Sequence, residues 1–131
     1  MPKTTQLSVS LENKPGQLAC VCRALADFKV NIIALSVAET TEQGTLRLVV
    51  DKPDKAVQVL RDCGCGFTKT DVLLIELPNK VGVMAEIAEE LAAKKINVNF
   101  VYGSTGRVGG KTFIVLGTPN LKAAEGALAA K

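Results

Sequence analysis

The sequence predicts an α+β chain made of two βαββαβ units. Each has an antiparallel sheet with helices on one face, and the second lacks its last strand. Three observations lead there. The chain repeats itself at a fixed offset. Each copy passes through the same alternation of period-two and helical spacing. The second copy runs out of residues where the first closes with an extended segment.

Sliding the chain by 66 residues aligns Leu7–Pro53 with Leu73–Pro119 without a gap, and 13 of the 47 pairs are identical. Core positions account for some of these, such as Leu7/Leu73, Leu11/Leu77 and Leu25/Leu91. Asn13/Asn79, Gly16/Gly82 and Asn31/Asn97 are different in kind, because they are polar or turn residues that no core requires. Identity there marks a constraint that both copies share.

In the first unit, Leu7-Ser8-Val9-Ser10-Leu11 alternates with period two and predicts a half-buried strand. Glu12-Asn13-Lys14-Pro15-Gly16 breaks it with turn residues. Leu18, Val21, Cys22, Leu25 and Phe28 recur at helical spacing and predict an amphipathic helix to about Phe28. Residues 30–39 are β-branched and apolar and read as a second strand. Gln43-Gly44 marks a hairpin turn from which Leu46–Val50 returns. Pro53 suits the first turn of a helix carrying Ala56, Val57 and Leu60, and Cys63-Gly64 ends it.

The second unit repeats the order: a strand over 72–77, a turn over 78–83, a helix from Met84 to near Lys95, a hairpin of strands 97–103 and 111–116, and a helix from Pro119. Residues 66–77 read as one extended stretch of about 40 Å that closes the first unit and opens the second. The expected units are therefore residues 1–70 and 71–131. A sheet without its closing strand has an open edge, so the units, or two chains, are expected to complete each other.

Composition removes several function classes. With 47% hydrophobic and 22% charged residues, and no apolar run long enough for a bilayer, a cytoplasmic globular protein without membrane contact is expected. The opening residues lack a signal-peptide pattern. A net charge of +3 with scattered Lys and Arg, four Phe, one Tyr and no Trp gives nucleic acid little to bind. There is no His, which removes the commonest general base and every His-containing metal site. Four Cys form two Cys-x-Cys pairs, Cys20/Cys22 and Cys63/Cys65, a spacing unlike zinc knuckles. They are read as reduced thiols, Cys63-Gly64-Cys65 being the better candidate for redox or metal chemistry. No metal or cofactor is expected.

The turn after the first strand carries chemistry. Gly16 and Gly82 stand where chain becomes helix and admit a ligand close to the backbone. The next N–H groups, from Gln17/Val83 and Leu18/Met84, are expected to be unpaired and, with the helix dipole, to suit a carboxylate. The Asn amides offer both donor and acceptor. Carbonyls near Ile32 and Val98 could accept from an ammonium. A purely structural reading stands beside this one: Asn and Gly in such a turn can simply cap a helix and satisfy φ. Asn31 and Asn97 enter strands, where Asn is disfavoured, and this favours function there.

Glu12-Asn13-Lys14-Pro15-Gly16-Gln17-Leu18 with Val30-Asn31-Ile32, and Pro78-Asn79-Lys80-Val81-Gly82-Val83-Met84 with Ile96-Asn97-Val98, resemble the ACT domain. That domain is a ferredoxin-like regulatory module of amino-acid metabolism. The resemblance covers nearly the whole chain as two tandem copies. It implies a non-catalytic sensor that binds an amino acid at ACT–ACT interfaces, forms a homo-oligomer (a dimer) and signals to an amino-acid-metabolism enzyme or regulator. It also implies that Asn13 of one unit faces Asn97 of its partner, and Asn79 faces Asn31. The sequence departs from the family twice. Val81 replaces the usual Pro, and Leu11 and Leu77 stand where a serine-binding member has His, which favours a less polar ligand.

Two other classes compete. An acylphosphatase-like enzyme shares the strand order but needs an anion loop and a placed Arg, which the Lys14-Pro15-Gly16 turn does not provide. The alternative of a ferredoxin-like metal- or nucleic-acid-binding module is opposed by sparse aromatics and by cysteines outside the first loop. Gly103–Thr112 resembles a phosphate loop, but Thr105 stands where glycine is required and a strand follows instead of a helix. It reads as a flexible hairpin, with Arg107 or Lys111 reaching an anion as the lesser possibility. Glu39, Glu42, Glu89 and Glu90 read as surface charges.

Overall fold

The computed structural model describes residues 3–12, 14–39, 43–104 and 111–128. Along them run β1 (Lys3–Glu12), α1 (Gln17–Asp27), β2 (Ile32–Glu39), β3 (Gln43–Val50), α2 (Pro53–Asp62), β4 (Phe67–Pro78), α3 (Val83–Ala93), β5 (Phe100–Ser104), β6 (Lys111–Gly117) and α4 (Leu121–Leu128). The chain divides into two compact units, residues 5–70 and residues 71–131 together with 1–4. No described helix is long and apolar enough to cross a membrane.

In the first unit β3 pairs antiparallel with both β1 and β2, setting Leu48 between Leu7 and Leu35. The first residues of β4 lie beyond β1, in the strand order β2-β3-β1-β4, and Ser10 N–H donates to the Gly66 carbonyl (2.9 Å). The period-two alternation of β1 sends Leu7, Val9 and Leu11 to one face, where they meet Leu46, Leu48 and Val50 of β3. Val21 and Leu25 of α1 and Ala56, Val57 and Leu60 of α2 cover them. Each fully buried leucine here contributes about 1.5–3 kcal/mol relative to an exposed one.

The second unit uses the same plan. Pairing of β4 with β6 sets Leu73 opposite Leu116 and Ile75 opposite Ile114, and β5 pairs with the far side of β6. Leu73, Ile75, Leu77, Ile114 and Leu116 pack under Ile87, Leu91, Ala124 and Leu128 of the two helices. Beyond β4, β5 and β6 this unit holds no further complete strand among the described residues; Lys3 and Thr4 of β1 belong to it, and Lys3 pairs with Asp71 (3.7 Å).

Three helices end in one device. In α1 the N–H of Lys29 donates to Ala26 and that of Val30 to Leu25, both at 2.9 Å. In α3 Lys95 and Ile96 donate to Ala92 and Leu91, and in α2 Gly64 and Cys65 donate to Arg61 and Leu60. These are Schellman caps, which need a left-handed residue at the first position past the cap. Gly64 supplies it at φ 73°, whereas Lys29 and Lys95 adopt φ 60° and 57° despite their side chains. The Cys63-Gly64-Cys65 turn is thus a helix stop.

Expected and observed boundaries differ in several places: β2 begins at Ile32 and not at Val30, so Asn31 precedes the strand, and α4 begins at Leu121 and not at Pro119. β1 begins at Lys3 and extends to Glu12, and β3 begins at Gln43, as their ladder runs on to Glu12 opposite Gln43. The larger difference is in the second unit, where β5 begins at Phe100, so that Asn97 and Val98 precede the strand instead of opening it. The cause is a slip of register. In the first unit Leu48 pairs with Leu35, but its repeat partner Ile114 pairs with Gly103, two residues beyond the partner that the gap-free repeat assigns. Both helices end identically, so residues 97–99 absorb the slip as irregular chain.

Candidate ligand-binding site

The turn between first strand and first helix is built alike in both units. Gln17 N–H donates to the Lys14 carbonyl (3.5 Å) and Val83 N–H to that of Lys80 (3.3 Å). The third residue of each turn is Gly16 or Gly82, at φ 89°, ψ −13° and φ 89°, ψ −9°. Neither Pro15 nor Val81 has positive φ. Together these define a type II turn, which requires the left-handed conformation at its third position and favours proline at its second. A Cβ on Gly16 or Gly82 would meet nothing within 4 Å, so φ and not crowding makes glycine necessary.

This turn corrects the expected donors by one residue. The N–H groups of Gln17 and Val83 are spent on the turn itself. Gly82, the N-cap of α3, has no side chain to cap with, so the N–H groups of Met84 and Ala85 in the first helical turn receive no side-chain partner.

In the second unit these groups border a cleft of about 540 Å³. Leu77, Asn79, Lys80, Gly82, Val83, Met84 and Ala85 form one wall, and Val101, Tyr102, Gly103, Thr112 and Ile114 the other. Gly103 has to be glycine for packing: a Cβ there would collide with the Phe113 carbonyl and lie 2.8 Å from Ile114 Cγ2. The Tyr102 ring stacks on Phe100 with centroids 6.3 Å apart. The matching recess of the first unit, lined by Leu11, Glu12, Lys14, Gln17, Leu18, Val37 and Gly44, holds only about 90 Å³. Leu46, the repeat partner of Thr112, is buried in the first unit's core and does not line that recess.

Of the expected site residues, Asn79, Gly82, Val83 and Met84 come together in the larger cleft, and Gln17 and Leu18 line the smaller recess beside Gly16. Asn13 lies outside the described residues, as do Arg107 and Glu42. Asn97 lines a separate cavity of about 280 Å³ with Lys94, Lys95, Ile96, Pro119, Asn120 and Ala123. Val98 is exposed between helix and strand, and Ile32 is half-buried at the start of β2. Asn31 donates its backbone N–H to Asp51 Oδ1 (2.9 Å), and its carbonyl accepts from Asp51 N–H (3.0 Å). Across from Gly117, the repeat partner of Asp51, sits Asn99, whose N–H donates to the Gly117 carbonyl (2.8 Å). The spatial counterpart of Asn31 is therefore Asn99. Val101, Tyr102, Thr112 and Ile114 were not among the sequence candidates; the only sequence signal for that wall was the single tyrosine beside Gly103.

The ion pairs separate the two units further. Lys14 Nζ lies 3.2 Å from Glu12 Oε2. Pro78 replaces Glu12 in the second unit, and among the described residues no acid pairs with Lys80. Lys111 is held by Glu76 (2.7 Å), and this hydrogen bond and charge keep its ammonium above the ordinary lysine range. All four cysteines are free thiols. Burial, then the neighbouring Cys63 and Cys20 thiols, push the Cys65 thiol up. No group of three or more Cys, Asp or Glu among the described residues could hold a metal ion.

Comparison with known proteins agrees with this architecture. A crystal structure of protein BT0572 from Bacteroides thetaiotaomicron is 32% identical, superposes with a TM-score of 0.91, and is matched over 98% of this chain and 88% of that one. The regulatory subunit of aspartate kinase from Thermus thermophilus shares the fold at 15% identity and a TM-score of 0.70, over 99% and 97% of the two chains. An aspartokinase of Corynebacterium glutamicum is 30% identical over 122 residues, covering 81% of this chain and 28% of the relative. The chain thus spans less than a third of that enzyme's length. The family model for the ACT domain pair matches residues 3–131, and the chain belongs to that family.

Proposed function

We propose that this chain is a non-catalytic cytoplasmic sensor that binds an amino acid and passes its presence to an enzyme or regulator of amino-acid metabolism. One observation carries the reading. The second unit brings uncapped helix N–H groups, the Asn79 amide and Lys80, which pairs with no acid among the described residues, to the rim of a roomy apolar cleft. Such a cleft is of the size that holds small ligands, and its rim suits a carboxylate. Membership of the ACT domain pair family and the fold shared with aspartate kinase regulatory subunits support a regulatory role.

The reading includes self-association as a dimer. On β2, at the edge of its unit's sheet, Ile33, Leu35 and Val37 point to one face and are 45%, 47% and 49% exposed. An apolar stripe on an edge strand invites a partner. Light scattering on the intact chain is expected to give twice the chain mass, and Leu35→Lys to halve it. A strictly monomeric wild type refutes this part.

The ligand is tested by thermal unfolding with each of the twenty amino acids. A ligand at 100 times its Kd adds about 2.7 kcal/mol. A shift with one amino acid that Asn79→Ala abolishes supports the site. Twenty amino acids without a shift overturn it.

A further inference from the structure

We infer that Cys20 and Cys65 are a redox pair. On contact with a hydroperoxide they join in a reversible disulfide that staples the start of α1 to the end of α2 in the first unit. The inference does not depend on the ligand-binding reading, whose cleft lies in the second unit.

The topology of the first unit brings these thiols together. β3 ends with Val49 opposite Gln6, near the start of β1. From there α2 carries the chain back along the unit to Gly66, whose carbonyl accepts from Ser10 N–H near the far end of β1 (2.9 Å). The turn after β1 starts α1 at that same end. Cys20 closes the first turn of α1 by donating its N–H to the Gly16 carbonyl (3.0 Å). The two helices pack on each other and on one core, and both Cys65 and Ala24, one helical turn beyond Cys20, lie against that core. Cys65 N–H donates to the Leu60 carbonyl (3.0 Å), so its thiol rides on a fixed helix stop. Beyond its own burial, the Cys63 and Cys20 thiols raise the Cys65 thiol, which is the electrostatic mark of this crowding.

Packing does not account for the cluster. Cysteines that serve as small hydrophobes are buried, yet Cys20 and Cys63 are exposed and Cys65 is half-buried. The second unit has no cysteine, and Cys20 and Cys22 repeat there as Glu86 and Ala88. Cys22 stands apart from the cluster. Side chains two residues apart on a helix point about 200° from one another, and Cys22 is not among the groups acting on Cys65.

Cys20, being exposed, meets the oxidant. Its thiolate attacks one peroxide oxygen, the O–O bond breaks, and the other oxygen leaves as alcohol or water, with Cys20 left as a sulfenic acid. The Cys65 thiolate then attacks that sulfur. The S–S bond forms, the S–O bond breaks, and the hydroxide takes up a proton and leaves as water. The two thiols give up two electrons and two protons, and the hydroperoxide accepts both. The new bond closes a loop of about 45 residues and fixes the first turn of α1, whose Gln17 and Leu18 line the smaller recess.

The experiment treats the reduced full chain with a small excess of hydrogen peroxide, blocks remaining thiols with iodoacetamide, and maps tryptic peptides by mass spectrometry without reduction. Peptide 4–23, which holds Cys20 and Cys22, is expected to appear linked to peptide 62–69, which holds Cys63 and Cys65, and dithiothreitol to separate them. The link is expected to persist in Cys22→Ser and Cys63→Ser and to vanish in Cys20→Ser and Cys65→Ala. The oxidised chain is expected to melt about 5–15 °C higher than the reduced one, and Cys20→Ser to show no such rise. A link that survives Cys20→Ser, or that Cys63→Ser removes, overturns the pairing. So do bonds formed only within peptide 62–69 or only between chains, sulfinic acids without a link, and an oxidised chain that melts no higher than the reduced one.

Discussion

Replacing Val81 by proline is expected to stabilise the chain. The turn Lys80-Val81-Gly82-Val83 is type II, whose second position has the φ to which proline is locked. Val81 is fully exposed, so no packing is lost, and its N–H makes no backbone hydrogen bond that the ring would delete. Proline also restricts the preceding residue to extended conformations; the first unit already accommodates this at Lys14-Pro15 in a turn of the same geometry. The gain comes from the unfolded chain, which loses freedom, and is about 0.4–1 kcal/mol. For a chain of this size that corresponds to a Tm rise of about 2–4 °C. Circular dichroism melts of wild type, Val81→Pro and Pro15→Val measure it, the last moving down by a similar amount. A Val81→Pro protein that melts lower than wild type refutes the type II assignment, and with it the placement of the Met84 and Ala85 donors.

Gly82→Ala is expected to cost about 1–2 kcal/mol, since it forces a side chain into the left-handed region, and chemical denaturation reads this directly. Lys95→Gly is expected to gain about 0.5 kcal/mol, the relief of φ 57° exceeding the entropy glycine adds to the unfolded chain; a loss of stability would show that the lysine side chain supports the helix end. Gly103→Ala is expected to cost several-fold more than an ordinary exposed substitution, about 1–3 kcal/mol, because strand β6 cannot move aside from its backbone contact. Iodoacetamide labelling followed by mass spectrometry at pH 8 is expected to modify Cys65 more slowly than an unperturbed thiol, as its raised pKa leaves it a smaller thiolate fraction at that pH. Labelling of Cys65 should accelerate as pH rises through its folded-state pKa.

Much of this architecture is legible in the residues because each signal is local. The period-two run Leu7–Leu11, the helical stripe Val21/Leu25 and the proline opening α2 each follow from short-range geometry, and the repeat read them twice. The type II turn is legible too, since Pro-Gly at its centre leaves few alternatives. The second wall of the cleft is not. Val101 and Tyr102 stand where they do because β5 slips by two residues against β6, and a register is a property of two strands that neither strand encodes alone. The same slip is why Asn97, matched to Asn31 by the repeat, yields its place to Asn99. Donor assignment failed by a single residue for a related reason: the Lys80–Val83 bond that consumes one N–H is a feature of the turn's closure, invisible in composition.

The unequal clefts of the two units bear on how such a protein answers a rising ligand concentration. A duplicated chain with two matched pockets can sharpen its response within one molecule. One with a single roomy pocket and a nearly filled twin takes up one equivalent per chain along a simple hyperbola. Steepness, if the response has any, must then come from assembly between chains.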